Sequence, residues 1–388
     1  MGIRQIDKIT AACRASLTGT SPSPRHRTTG RLGLAFACVS ILLIGAATGC
    51  SGSSPASPQS GAHSPAGGQT ATGPSSAVPV PGAATHLDSS QASEDPTSVS
   101  CPSASFCMAV LESGYSAVYN GTTWSKPALL SSASSVGEPD SVSCPTVSFC
   151  VAVDARDSSA FLFNGRTWSS APSINDPASN TLGGMASVSC SSPSFCAAVD
   201  NGSNAFTFNG ISWSPARVID PGNELGTVSC PIASFCAAVD YGPNVVTFNG
   251  TSWSKPTAID PGTYLQAVSC ASASFCVAID RKGNALTFNG STWSVPANAD
   301  PNGLTMGEGG ISWPVVSCPT SNFCAAVDGA GGNVVTFDGS SWSAPVNIDS
   351  KAANSVRGPV LIFLMSVSCL SAKFCVAGDS IGDAFVRS

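Results

Sequence analysis

The order of apolar and polar positions repeats along the chain from residue 98 onward. Each unit begins with a short (S/T/A)VSC run and a five-residue gap. A second Cys then opens an unbroken apolar stretch, C-(V/A)A(V/I)D. A Gly-containing turn follows, then an alternating segment ending in FNG-x-(S/T)-W-S-x-P. The apolar runs are too short for helices and the alternation has period two, so each unit reads as four strands, A to D. Strand A carries Val-Ser-Cys, B follows the second Cys (Cys236-Ala237-Ala238-Val239), C ends in Phe (Asn244–Phe248), and D starts at the Trp. Asn-Gly between C and D is a strong hairpin signal, because both residues tolerate positive φ. Asn120, Asn164, Asn209, Asn249 and Asn289 hold this place, with Asp338 as a sixth.

The unit recurs seven times, at Cys101/Cys107, Cys144/Cys150, Cys190/Cys196, Cys230/Cys236, Cys270/Cys276, Cys318/Cys324 and Cys369/Cys375. Successive starts lie 40 to 51 residues apart. Four antiparallel strands per such period predict an all-β fold, a seven-bladed β-propeller of four-stranded antiparallel blades over residues 98–388. A C-x5-C spacing places two Cys opposite each other on an A–B hairpin, so one disulfide is expected inside every blade. Zinc sites favour closer spacing and converging pairs, so no metal is expected. The seventh unit ends at Ala384–Ser388, after strand C. Its fourth strand is expected from the segment 84–95, ahead of the first unit.

The FNG-x-(S/T)-W segment resembles a degenerate Asp-box, the C–D turn motif of sialidase-like propellers, with Asn-Gly in place of the usual Asp and spacing. That resemblance implies a propeller and brings in the second functional reading, a glycan-processing hydrolase.

Composition alters the picture mainly at the N-terminus. Residues 33–49, LGLAFACVSILLIGAAT, are apolar or small and follow Arg25, Arg27 and Arg31, the layout of a signal peptide. The run ends in Ala47-Thr48-Gly49-Cys50, which resembles a bacterial lipobox and implies lipidation at Cys50. Residues 1–49 therefore read as a signal peptide. Residues 50–97, rich in Ser, Pro and Gly, read as a disordered tether. Localisation is expected to be extracytoplasmic, on the membrane through the lipid anchor, and the paired cysteines suit that oxidising side.

Beyond residue 49 the chain has 11 basic and 22 acidic residues, a net charge of about -11. Without a basic stripe, nucleic acid is not an expected partner. His26, His63 and His86 all lie outside the repeats, which removes Ser-His-Asp and Cys-His chemistry from them. The carboxylates recurring after strand B (Asp154, Asp200, Asp240, Asp280, Asp328, Asp379) and after strand D (Asp176, Asp220, Asp260, Asp300, Asp349) obey the repeat. They read as turn caps, and the repeated tryptophans as blade packing. No catalytic residue and no cofactor is assigned.

The asymmetric residues fall in B–C and D–A loops, on one face of the disc. Candidate ligand contacts are Tyr241, Tyr264, Arg281, Glu308 and Trp313, the last two in a long insertion. The expected protein is a monomeric, non-catalytic binding or scaffold protein of the cell envelope. Its expected partner is a glycan or an envelope protein, bound on that face.

Overall fold

The computed structural model describes residues 84–87, 96–131, 139–156, 158–171, 174, 184–299, 314–328, 331–351 and 362–388. These residues form seven four-stranded antiparallel sheets, one per repeat. In blade 4, strand A is Leu225–Ile232, B is Phe235–Asp240, C is Asn244–Phe248 and D is Thr257–Ala258.

Each expected disulfide is present inside its own blade. The bonds are Cys101–Cys107, Cys144–Cys150, Cys190–Cys196, Cys230–Cys236, Cys270–Cys276, Cys318–Cys324 and Cys369–Cys375, with Cα atoms 3.9–4.1 Å apart. The two halves of a cystine are not equivalent. The second Cys opens strand B, and Cys107, Cys150, Cys196, Cys236, Cys276 and Cys324 have no exposed surface at all. Blade 7 is looser, with Cys375 still 9% exposed. The cystine sulfurs fill the space between blades, as Cys196 does beside Phe208 and Cys324 beside Phe337 in their clusters.

Strand B is the middle of each blade and both its faces are covered. Ala237, Ala238 and Val239 have no exposed surface. This is why the B run is continuously apolar and rich in small residues: two neighbouring sheets press on it at once. The core is accordingly divided into layers between blades. A buried cluster fills each interface between neighbours, including that between blades 7 and 1.

The Ser of the V-S-C run ties the blades around the axis. Its hydroxyl accepts the amide of the Cys in the next blade: Ser100 from Cys144, Ser143 from Cys190, Ser189 from Cys230, Ser229 from Cys270, Ser269 from Cys318, Ser317 from Cys369 and Ser368 from Cys101. These seven bonds, 2.9–3.0 Å long, make a closed ring. They satisfy amides that the innermost edge would otherwise leave unpaired. Further out, Phe of strand B stacks on the Phe of strand C in the following blade, as in Phe195–Phe248 at 5.9 Å. The repeated Trp tilts against that same Phe, as in Phe248–Trp253 at 5.2 Å. The tryptophans that are described pack blades, as expected.

Strand D differs from the expectation. In five blades the Trp makes only an isolated bridge to the Phe (or Tyr119) of strand C, and pairing resumes as a two-residue strand after the Pro. Proline, lacking an N–H and with φ fixed, interrupts the ladder. The Ser after the Trp repairs the gap: Ser254 Oγ accepts the Thr247 amide at 3.0 Å, and Ser214, Ser294 and Ser343 act alike. Blade 2 supports the same cause. There the Pro comes one residue later, and Trp168–Ser170 forms a continuous strand.

The ring is closed by Thr85–His86, which pairs antiparallel with Asp383–Ala384 as strand D of blade 7. The fourth strand does come from the segment ahead of the first unit. Leu87 follows it into the core beside Ala109, Leu111 and Ala384.

Candidate functional site: the channel mouth

The two faces of the disc are built differently. On the A–B/C–D face, the turn Asn caps its own loop: Asn249 Oδ1 accepts the amides of Thr251 and Ser252 at 3.1 and 2.9 Å. Gly250, at φ +91°, lies so close to Ser234 of the A–B turn that a Cβ would sit 3.1 Å from its Cα. The same packing recurs at Gly121, Gly165, Gly210, Gly290 and Gly339. This face is rigid and repetitive, apart from single exposed residues such as Ile211.

On the B–C/D–A face the repeat is also tightly held, but by buried carboxylates. Asp240 Oδ1 accepts the amides of Gly242 and Asn244, and its Oδ2 accepts Asn244 Nδ2 at 2.7 Å. Blades 3, 5 and 6 repeat this with Asp200/Asn204, Asp280/Asn284 and Asp328/Asn333. The turn-capping role of the strand-B carboxylates is therefore real. The carboxylates after strand D are less well served. Asp220, Asp260 and Asp349 are buried, and in each Oδ2 has no hydrogen-bond donor among the described residues. Asp260 faces Asp280, and burial together with that neighbour pushes its carboxyl up to about 6. Sequence reasoning treated the two sets as separate turns. That they meet between blades is visible only once strand order is known.

Within this capped frame one position is free to vary. Strand A slips by one residue in its pairing with B near its start: Leu225 pairs with Asp240, but Thr227 pairs with Val239, leaving Gly226 as the extra residue. The same slip leaves out Thr97, Asp140, Ala186, Gln266 and Met365 in blades 1, 2, 3, 5 and 7. In sequence register, Pro314 holds this place in blade 6. Seven blades thus carry seven different residues here, on the innermost strand, while the nearby V-S-C does not change. A bulge re-aims its extra side chain, and bulges concentrate beside functional sites.

On this face carboxylates of blades 1 and 2 crowd one another. Asp140 keeps an exposed surface although protein crowds it on most sides. Burial, with Asp154 and Glu112 nearby, pushes its carboxyl up to about 7. Tyr241, an expected contact, lays its ring over Gly226; a Cβ there would stand 2.9 Å from Tyr241 Cε1. Burial, and then Asp140 and Glu224, push its hydroxyl up to about 12. Gln266 is buried, and its Oε1 has no hydrogen-bond donor among the described residues. The bulge residues Asp140 and Gln266 were missed from sequence. The signal that would have found them is that a repeat-by-repeat alignment varies completely at one position beside a constant one.

Tyr264 and Arg281, also expected contacts, come together. The guanidinium lies over the ring at 5.5 Å, and the Arg281 amide donates to the Tyr264 carbonyl at 2.9 Å. Tyr264 is exposed. Glu308, Trp313 and Cys50 lie outside the described residues. By sequence register Trp313 falls at the place that Met185, Leu225, Leu265 and Leu364 fill with buried side chains. Among the described residues, no group of three or more His, Cys, Asp or Glu is arranged to hold a metal ion, and no helix is long and apolar enough to cross a membrane.

No protein-family profile matches the chain, and no curated protein is similar to it in sequence. Its likeness is structural. It resembles YCF48 bound to D1 peptide (15% identity, 80% of this chain and 99% of that one, TM-score 0.57). YCF48 from Cyanidioschyzon merolae is similar at 15% identity, covering 79% and 98%, with TM-score 0.55. U3-55K is similar at 9% identity, covering 79% and 98%, with TM-score 0.61. At these identities the comparison shows the seven-bladed fold. Function has to be read from this chain's own site.

Proposed function

We propose that this chain is an exported, lipid-anchored binding or scaffold protein of the bacterial cell envelope, which holds a partner on its B–C/D–A face without catalysis. The observation that carries the reading is the concentration of variation at one end of a rigid, repetitive disc. A scaffold that keeps V-S-C in strand A of every blade, yet changes the bulge residue in each, is organised for recognition. Seven cystines in one domain support an oxidising compartment. The apolar run 33–49, Cys50 and the Ser/Pro/Gly stretch behind it supply a signal, an anchor and a tether in the right order.

A protein partner is favoured over a glycan. One of the similar propellers was determined with a peptide bound. Among the described residues the arginines are spread over separate blades: Arg156 and Arg281 lie in the B–C turns of blades 2 and 5, Arg217 in an outer strand, Arg166 in a C–D turn, and Arg387 over Phe323 between blades.

Two measurements test this. Cys50→Ser should move the protein from the detergent phase to the aqueous phase on Triton X-114 partition; unchanged partition discards the lipid anchor. A photo-crosslinking residue at Tyr264, compared in intact cells with one at Ile211 on the opposite face, should give adducts only from 264. Adducts from 211 alone, or from neither, overturn the assigned binding face.

A further inference from the structure

Neighbouring blades are closed at their outer ends in different ways. Between blades 1 and 2 the repeated Trp reaches across, and Trp168 Nε1 donates to Ser116 Oγ at 3.0 Å. Ser116 pairs with Val110 of strand B; at the same register in blade 3, paired with Val199, stands Ala205. Trp253 of blade 4 packs on the cluster that holds Ala205 and tilts against Phe248, but its Nε1 has no acceptor among the described residues. A groove of about 550 Å³ lies at this junction, lined by Phe195, Ala205, Asn209, Arg217, Thr251 and Trp253 among others. That is the size of a small-ligand site, and it runs along the outer rim from the A–B and C–D turns to the level of Ala205. Between blades 2 and 3 the same place is shut. There Ala160 and Ala171 hold the registers of Ala205 and Arg217, Ala171 packs on the interface cluster, and Trp213 is buried.

Three free donors line the groove, the first being the Trp253 indole. Arg217 pairs with Ala205 across strands C and D, which sets both side chains on the face toward blade 4. It is exposed, and its side chain has no hydrogen bond or ion pair among the described residues. Asn209 Oδ1 is taken by the amides of Ile211 and Ser212. Its Nδ2 has no acceptor among the described residues, whereas in blades 1, 2 and 5 that nitrogen donates to a Thr. Among the described residues no Asp or Glu lines the groove. A fitting ligand therefore brings acceptors, a negative charge and an apolar face for the Trp253 ring. We propose that this groove is a second binding site, which takes a short saccharide containing a uronic acid. Its carboxylate lies on Arg217, a pyranose face rests against Trp253, and a sugar oxygen accepts the indole N–H. Guanidinium meets a carboxylate with paired, charge-assisted bonds, and Trp combines an apolar surface with one polar edge. An extended peptide brings an amide donor for every carbonyl and matches this lining less well. The inference goes beyond the partner surface proposed above and is independent of it.

The test uses the purified full chain and di- and trisaccharides of glucuronate, mannuronate and galacturonate, each beside its neutral hexose counterpart. Acetyl-Gly-Glu-Gly-amide serves as a peptide control. Calorimetry or ligand-observed NMR should show at least one uronate binding about fivefold or more above its counterpart, as expected for a charge pair at an exposed arginine. Arg217→Gln should abolish that preference. Ala205→Ser should supply an acceptor for Trp253 Nε1, as Ser116 serves Trp168, and weaken uronate binding without lowering the melting temperature. No preference for any uronate, or one that survives Arg217→Gln, overturns the proposal; so does an Ala205→Ser variant that binds as tightly as the native chain. Stronger binding of the peptide than of every saccharide would also reject it, in favour of an acidic peptide in the groove. Cross-linking from Tyr264 reads the other surface and is untouched by either result.

Discussion

Blades 3 to 6 follow one recipe and the seventh, which closes the ring, departs from it at three points. In blades 3 to 6 the residue four or five places after the strand-B Asp is Asn, whose amide donates to the second carboxylate oxygen. In blade 7 it is Asp383. Asp379 still accepts the amides of Ile381 and Asp383 on Oδ1, but its Oδ2 has no donor among the described residues. Burial, with Asp383 and Asp349 beside it, pushes its carboxyl up to about 7. The second departure is Arg387, which replaces the strand-C Phe opposite Cys375 and lies 5.8 Å over Phe323 where the other blades stack two rings. The third is that no Trp follows, because strand D comes from Thr85–His86.

These departures belong together. Asp383 has exchanged an internal bond for contacts that reach outward: His86 Nδ1 lies 3.0 Å from Oδ1, and Lys351 Nζ 2.6 Å from Oδ2. One carboxylate thereby pins the closing strand and the preceding blade. The cost is a looser interface. An apolar cavity of about 40 Å³ remains between blades 6 and 7, lined by Val327, Ile348, Val367, Phe385 and Arg387 among others. Cys375 lines it too, which is why this cystine alone has a second sulfur-bearing residue not fully enclosed. Repetition secures the inner blades, whereas the closing one is held by a few unique contacts.

Opening the ring tests this most severely. Leu87→Asp should cost upwards of about 4 kcal/mol, by removing a core side chain and placing a charge in its cluster. Hydrogen exchange should then show Asp383–Arg387 losing protection first. If all blades lose protection together, the closing blade is not the weak point. Removing one cystine should cost roughly 2 kcal/mol by loop-closure arithmetic. In denaturant melts, Cys369→Ala with Cys375→Ala should be worse tolerated than Cys230→Ala with Cys236→Ala; equal losses would erase the distinction between the blades.

The pH dependence should be smaller, several degrees in Tm. Asp379 holds its proton more tightly folded, at about 7, than at its ordinary value of 3.8. Its contribution is therefore complete below about pH 4 and is lost as pH rises through 7. Asp140 and Asp260, also raised, act in the same direction. Asp338, lowered to about 2 on an exposed turn, acts only at still lower pH. Thermal melts should show higher stability at pH 5 than at pH 8, and Asp379→Asn should flatten the slope. Asp383→Asn should flatten it too, by restoring the amide donor of the inner blades. The smallest effect is expected of Arg387→Phe, which extends the ring stack to blade 7 and should add about 1 kcal/mol; an unchanged Tm would show that the cation on Phe323 is equally good.

How much was legible beforehand varies with the range of the interactions. Strand count, blade number and cystine pairing follow from contacts within one repeat, so seven copies of the same pattern announce them. The turn aspartates after strand B were legible for the same reason. That the second Cys of a pair is wholly enclosed was not, because the neighbouring blade does the enclosing. Strand D was misread because a proline offset of one residue decides whether the ladder continues past the Trp. The bulge position was passed over because a one-residue slip in pairing does not alter the apolar pattern.

The amino-acid sequence, then, determined the blade, because hairpin turns, alternation and short disulfide loops are local and recur. Only the tertiary structure decided what stands between blades and around the axis: the closed ring of Ser–Cys bonds, the meeting of Asp260 with Asp280, and the grip of Asp383 on His86. Residues tens to hundreds of positions apart meet there because the sheets are wound about a common centre. That winding is a property of all seven units at once and is written in none of them singly.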